Sequence, residues 1–311
     1  MEKKNQLQAR LADTCLLLGG NPRSGTTLLS SILRCAPGHV QAFELHVRKP
    51  SFIAGLEGRY TRRIFEQVGL PNDEYDRILA ETDTSGMNLG AWVGPKDPTS
   101  AEELTGREGG DFQAQLACRC AFVQRCMRRI AERNGEGTWG FKLLTDSVYA
   151  DRFARIWPGA TLILMIRDPR DQAMSVLKLN EQRIERGQPV FYPDHRAAAL
   201  GWAQIIRDTR AAAADAPLNL VEIRYEDLVT DPDATLERLG ALTGLELSSG
   251  LSFYEADFIR THTERFRHHD NLKRPINADS VGKWKTKLDA PTRQVFAETV
   301  GGLMDELGYE V

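Results

Sequence analysis

Leu16-Leu17-Leu18-Gly19-Gly20-Asn21-Pro22-Arg23-Ser24-Gly25-Thr26-Thr27-Leu28-Leu29 is the stretch from which the fold is read. A short apolar run ends in two glycines, a polar turn follows, and Leu28, Leu29, Ile32 and Leu33 then recur at helical spacing. That order spells strand, loop, helix. Gly20 and Gly25 permit backbone angles that a side chain would forbid. The loop amides and the unpaired N–H groups of the new helix converge on one point, where the helix dipole adds partial positive charge. A phosphate or a similar anion suits that point.

The spacing Gly20-x4-Gly25 followed by Thr26 and Thr27 is that of a P-loop, with one departure. A triphosphate-binding loop carries Lys directly after the second glycine, to reach the β- and γ-phosphates. This chain has Thr26 there, and its cation is Arg23, inside the loop. Such a loop still holds a 5′-phosphate but lacks the usual handle for a triphosphate with magnesium.

Further along, Val40–Glu44 reads as a short strand that emerges beside the first, so Glu44 and His46 fall near the anion site. Thr138–Leu143 is a third expected strand, followed by a helix through Ile156. Thr161–Ile166 is continuously apolar and rich in branched side chains, as a strand buried on both faces of a parallel sheet should be. It runs into Arg167-Asp168-Pro169-Arg170-Asp171 and a helix through Ala173, Val176 and Leu177, and this polar turn lies where open α/β sheets bind ligands. Folded back, Arg167 and Ser175 would grip a second phosphate. The plainer alternative is an Arg167–Asp171 pair.

Residues 196–214 read as a helix with Ala197, Leu200, Ile205 and Ile206 facing inward. Asn219–Tyr225 reads as a strand and Asp233–Leu242 as a helix. The tail carries Arg265-Phe266-Arg267-His268-His269-Asp270 and Ser280-Val281-Gly282-Lys283-Trp284-Lys285 before a last helix to Leu307. The adjacent histidines lack supporting carboxylate or Cys spacing, and no metal is expected. The expected fold is therefore α/β: a single P-loop-type, three-layer domain over residues 1–311, with a central parallel sheet flanked by helices. Its core is residues 14–49 and 136–311. Residues 50–135, with loop-like Asn88–Pro98 and a helical run Phe112–Arg133, form an insertion that serves as a substrate-side lid or a surface addition.

The chain has 311 residues, enough to bury a large core, and 40 Lys and Arg against 43 Asp and Glu, a net charge of −3. That balance argues against a broad nucleic-acid face. Five cysteines fit no C-x2-C metal spacing, and Cys118-x-Cys120 lies in an expected helix. With no signal-peptide pattern at the N-terminus and no long apolar span, the expectation is a cytoplasmic protein without a membrane span. A homo-oligomer is left open.

Taken together, these motifs resemble the sulfotransferases that use 3′-phosphoadenosine 5′-phosphosulfate (PAPS). Asn21–Leu29 resembles their 5′-phosphosulfate loop, Arg167–Ser175 their 3′-phosphate element, Arg224–Leu228 the strand that brings a Tyr to the adenine, and Ser280–Trp284 the closing C-terminal loop. The pattern is most similar to the tyrosylprotein sulfotransferase-like branch, which many bacterial members resemble. Two departures stand out. The Lys-Thr-Gly-Thr loop of the cytosolic branch is missing, and Gly282 replaces a Ser before Lys283-Trp284.

The resemblance implies in-line sulfuryl transfer from PAPS to a hydroxyl-bearing acceptor, a small molecule or glycan before a protein tyrosine, leaving the bisphosphate PAP. Glu44 would be the base, with His46 its rival. Arg23 and Lys142 would steady the departing oxygen. Pro22, Arg23, Ser24, Gly25, Thr26, Thr27, Arg167, Ser175, Tyr225, Lys283 and Trp284 would hold the donor. An ATP-dependent kinase and a non-catalytic nucleotide-binding protein are the competing readings.

Overall fold

The computed structural model describes residues 15–48, 55–82, 112–135, 137–265 and 267–311. Of the motifs above, the loop Asn88–Pro98 and Phe266 lie outside the described residues.

Five strands build one parallel sheet: β1 (Cys15–Gly20), β2 (His39–Glu44), β3 (Thr138–Leu144), β4 (Thr161–Ile166) and β5 (Asn219–Arg224), in the order β2-β3-β1-β4-β5. Parallel neighbours need long crossovers, and these are mostly helical. The helices are α1 (Thr26–Arg34), α2 (Gly55–Gln67), α3 (Asn72–Glu81), α4 (Phe112–Asn134), α5 (Ala150–Ile156), α6 (Pro169–Glu185) and α7 (His195–Ala214). They continue with α8 (Tyr225–Thr230), α9 (Pro232–Thr243), α10 (Asp257–Arg265), α11 (Trp284–Lys287) and α12 (Ala290–Glu306).

The alternation of side chains along each strand explains the three layers. On β4, Ile163 and Met165 join Leu18 of β1 and Leu29, Ile32 and Leu33 of α1 in one cluster. Leu162 faces the opposite way, with Leu17, Phe141 and the α4 side chains Phe122 and Met127. Leu164 and Ile166 meet Trp202 of α7 and Phe296 of α12. All six residues of β1 and of β4 are buried, so no face of these strands is left for water. Each such Leu or Ile removed from water contributes about 1.5–3 kcal/mol, before the opposing chain entropy.

Three expectations are corrected. The inward face of α7 is Ala198, Ala199, Trp202, Ala203 and Ile206, while Leu200 is 54% exposed. The indole N–H of Trp202 donates to the Arg167 carbonyl at 2.9 Å and sets this rotation, and the flanking alanines let α7 approach closely. The helix expected directly after β3 begins as a 3-10 turn, Thr145–Tyr149. Tyr225, expected at the end of β5, instead opens α8.

Parallel strands all end on one edge, and β1 lies between β3 and β4, with the chain leaving it for the outer strand β2 on one side before it crosses to β4 on the other. Ligands of open α/β sheets bind at such a crevice.

Candidate active site

Each strand delivers one candidate residue to that edge. Glu44 ends β2, Lys142 lies near the end of β3, and the loop Asn21–Gly25 leaves β1. Arg167 follows β4, and Tyr225 follows β5. In space the sheet order therefore lines them up as Glu44, Lys142, Arg23 loop, Arg167, Tyr225. Four strand spacings of about 4.8 Å make that row roughly 19 Å long. Pro22, Arg23, Gly25, Thr26, Thr27, Glu44, Lys142, Arg167, Ser175, Tyr225 and Lys283 all line one cavity of about 610 Å³.

The backbone of the loop is bent as a close approach requires. Gly20 has φ 142° and Gly25 φ 99°, and Gly25 is the N-cap of α1. A Cβ on Gly25 would stand 2.5 Å from Cδ2 of Tyr225, so the glycine also lets that ring lie against the loop. Gly25→Ala is expected to lower the Tm and to weaken anion binding together, because both the positive φ and the ring oppose the methyl. Calorimetry with PAP beside a thermal melt measures both. Among the described residues, the non-glycine residues with positive φ are Arg23 (68°) and Leu144 (53°), and both line the cavity. Strain of this kind gathers at binding sites.

The two turns face one another. Arg167 donates from one terminal nitrogen to the Arg23 carbonyl at 3.1 Å and from the other to the Ser280 carbonyl at 2.7 Å. Its guanidinium lies 4.5 Å from the Tyr225 ring centre, over the π face. Arg23 donates from Nε to the Ser175 hydroxyl at 3.1 Å, so it stands between the 5′ and 3′ anion positions expected from the sequence. The Arg167–Asp171 pair is not what forms. Asp171 instead accepts the N–H groups of Gly282 at 2.6 Å and Trp284 at 2.9 Å.

At the other end of the row, buried Lys142 donates to the Thr27 hydroxyl at 3.1 Å and stands 3.8 Å from Glu44 Oε2. His46 Nδ1 is 3.5 Å from Glu44 Oε1, and its ring stacks on Tyr60. His46 itself is not part of the cavity wall. Burial lowers the pKa of Lys142; Glu44 opposes that shift and Arg23 adds to it. Burial, with the nearby Arg167 charge, brings Arg23 down to about 10. Three cations are thus crowded against two carboxylates, Glu44 and Asp171, and an anion would relieve the crowding.

One buried polar atom makes the same point. Among the described residues, Arg167 Nε has no hydrogen-bond partner. It belongs to the turn that would face the anion, and an orphaned buried donor costs about 1–3 kcal/mol.

Two candidates are placed away from the cavity surface. Ser24 is 1% exposed beneath the loop, and the Trp284 ring packs in the core under Arg170, whose guanidinium is 3.5 Å from its centre. Trp284 thereby anchors the segment that turns Lys283 toward the cavity. Sequence reading also missed Lys178, Phe191 and Arg274 on the wall. Lys178 had a readable signal, since it lies three residues from Ser175 on one helical face. Phe191 had none: it is fixed by Asn180, whose side chain receives the Phe191 N–H at 3.0 Å and donates to the Tyr192 carbonyl at 2.7 Å. Among the described residues no group of three or more His, Cys, Asp or Glu is placed to hold a metal ion.

With that geometry in view, the relatives place the chain. Residues 16–249 match the model of the Sulfotransferase family, and the protein belongs to that family. Over 305 residues it is 21% identical to a Caenorhabditis briggsae protein named "Putative protein-tyrosine sulfotransferase", spanning 95% of this chain and 89% of that one. The sulfotransferase domain from the curacin biosynthetic pathway has the same fold with a TM-score of 0.56, at 18% identity over 96% of this chain and 98% of its own. The sulfotransferase domain of the Synechococcus PCC 7002 olefin synthase matches with a TM-score of 0.52, also at 18% identity, over 96% and 95%.

Proposed function

We propose that this sulfotransferase takes its sulfuryl group from PAPS and passes it to an acceptor hydroxyl, with Glu44 as general base. The observation that carries the reading is the linear order of groups along the sheet edge: carboxylate, lysine, amide-rich loop, arginine, tyrosine. That is the order in which an acceptor proton, a departing oxygen, a 5′-phosphate, a 3′-phosphate and an adenine would need partners. PAPS supplies the activated sulfuryl group. The loop amides with Thr26 and Thr27 bind its 5′ side, and Arg167, Ser175 and Lys283 bind its 3′ side. Tyr225 offers the base a ring. Lys142 and Arg23 hold positive charge where the bridging oxygen gains negative charge. Glu44 takes the hydroxyl proton, and the row fixes the reactants in line.

The acceptor is a small molecule or glycan in the first instance. A peptide tyrosine, favoured by the name of the C. briggsae relative, is the alternative. The five cysteines are free, which suits a cytoplasmic setting, and among the described residues no helix is long and apolar enough to cross a membrane.

Calorimetry tests the donor: PAP is expected to bind without magnesium, and ATP with magnesium to bind far more weakly, because Thr26 stands where a triphosphate loop needs Lys. Binding of ATP alone would overturn the reading in favour of a kinase. Labelled PAPS offered with a panel of alcohols, glycans, phenols and tyrosine peptides then sorts the acceptor. Labelling of none, with PAP bound, would favour a non-catalytic nucleotide-binding protein.

A further inference from the structure

Resting on the nucleotide reading, we propose that Asp171 is a positioning residue that latches the segment Ser280–Trp284 shut, so that Lys283 is held against the 3′ end of the bound nucleotide. Asp171 lies in the first turn of α6, four residues after Arg167, and is 2% exposed. Its two oxygens take separate backbone donors: Oδ2 receives the Gly282 N–H at 2.6 Å and Oδ1 the Trp284 N–H at 2.9 Å. Lys283 is the residue between those two amides, and its side chain lines the cavity. A carboxylate that grips the amides on both sides of one residue fixes where that residue points.

The rest of the segment is tied to the same turn. Arg167 donates to the Ser280 carbonyl, and the Trp284 ring lies under Arg170, which in turn pairs with Asp168 at 2.8 Å. Gly282 has φ 69°, the left-handed angle that turns its amide toward Asp171. Around it the backbone also makes short-range turns, Val281 N–H to the Ala278 carbonyl at 2.9 Å and Lys285 N–H to the Gly282 carbonyl at 3.1 Å. Four residues of one turn, Arg167, Asp168, Arg170 and Asp171, thus hold the closing segment while Arg167 also faces the cavity. Nucleotide grip and segment closure share one element.

Asn at position 171 keeps the shape but offers one acceptor oxygen, and sets its NH2 against the second backbone N–H. Asp171→Asn is therefore expected to weaken PAP binding about tenfold, as Lys283→Met does, while the double variant loses no more than either single one. Additive losses, or unchanged PAP affinity in Asp171→Asn, would overturn the latch. A ligand-free measurement separates this proposal from the donor assignment. Trypsin should cut after Lys283 faster in folded Asp171→Asn than in the wild type, and equal rates would also overturn it. Failure of the wild type to bind PAP sinks the donor reading instead. Should the variant lose its cooperative melt, hydrogen exchange in the wild type decides: slow Gly282 and Trp284 amides support the latch, and fast ones refute it.

Discussion

Glu44→Gln is expected to bind PAP at least as tightly as the wild type and to turn over about 100- to 10,000-fold more slowly, the usual worth of a general base. The side chain keeps its length and loses only its charge and basicity. Its neighbours explain both halves of that outcome. Lys142 Nζ is 3.8 Å away, so removing the carboxylate leaves the cavity more positive and more attractive to a bisphosphate. Among the described residues, His46, 3.5 Å from Glu44, is the rival for the proton. Turnover at the wild-type rate would remove Glu44 from the chemistry, and loss of turnover in His46→Gln would then promote the histidine. PAP affinity measured in the same preparations guards against a misfolded variant.

Arg167→Met carries the second large effect: PAP affinity is expected to fall a hundredfold or more, about 2.7 kcal/mol. The arginine does three things at once. It bonds the Arg23 and Ser280 carbonyls, lies over the Tyr225 ring, and leaves Nε without a protein partner. Methionine retains the apolar stem but strands two carbonyls, so the Tm should drop as well. Arg167→Lys distinguishes charge from shape, because lysine keeps the cation and loses the fork that spans both carbonyls. PAP affinity within twofold of the wild type in Arg167→Met would end the idea that the 3′-phosphate sits at this turn.

Much of the site was readable because its parts are local. Leu16–Leu29 and Thr161–Ser175 are each a strand, a turn and a helix in unbroken sequence, and their periodicity changes at the turn. The turn at Arg167 was legible as a polar strand-to-helix turn, though not its partners, since Ser280 is 113 residues away. The rotation of α7 was not legible. Alanines on several sides of the helix give no clear apolar stripe, and the bonds that hold its buried face, Trp202 to Arg167, Asn21 to Trp202 and Ser147 to Thr209, are long-range. Trp284 misled for a related reason. An aromatic beside a lysine in a loop suggests a stacking face, whereas two amide bonds to Asp171 pull the chain so that the ring sinks into the core and the lysine turns outward. The buried side chains of α2, α3 and α4, among them Phe65, Tyr75 and Phe122, pack with Val40 and Ala42 of β2. The described helices of the insertion therefore adjoin the strand that carries Glu44.

β2 is the outermost strand on its side of the sheet. The chain leaves it at Glu44 and comes back at Thr138 to pair as its neighbour, so both ends of this long excursion lie on adjacent strands at that side of the sheet. Lengthening it costs little, roughly 0.6 kcal/mol per doubling of a flexible loop, and does not disturb residues 21–25 or 167–171 on the inner strands. A lineage built on this scaffold is free to vary that margin of the sheet while the loop after β1 and the turn after β4 stay as they are.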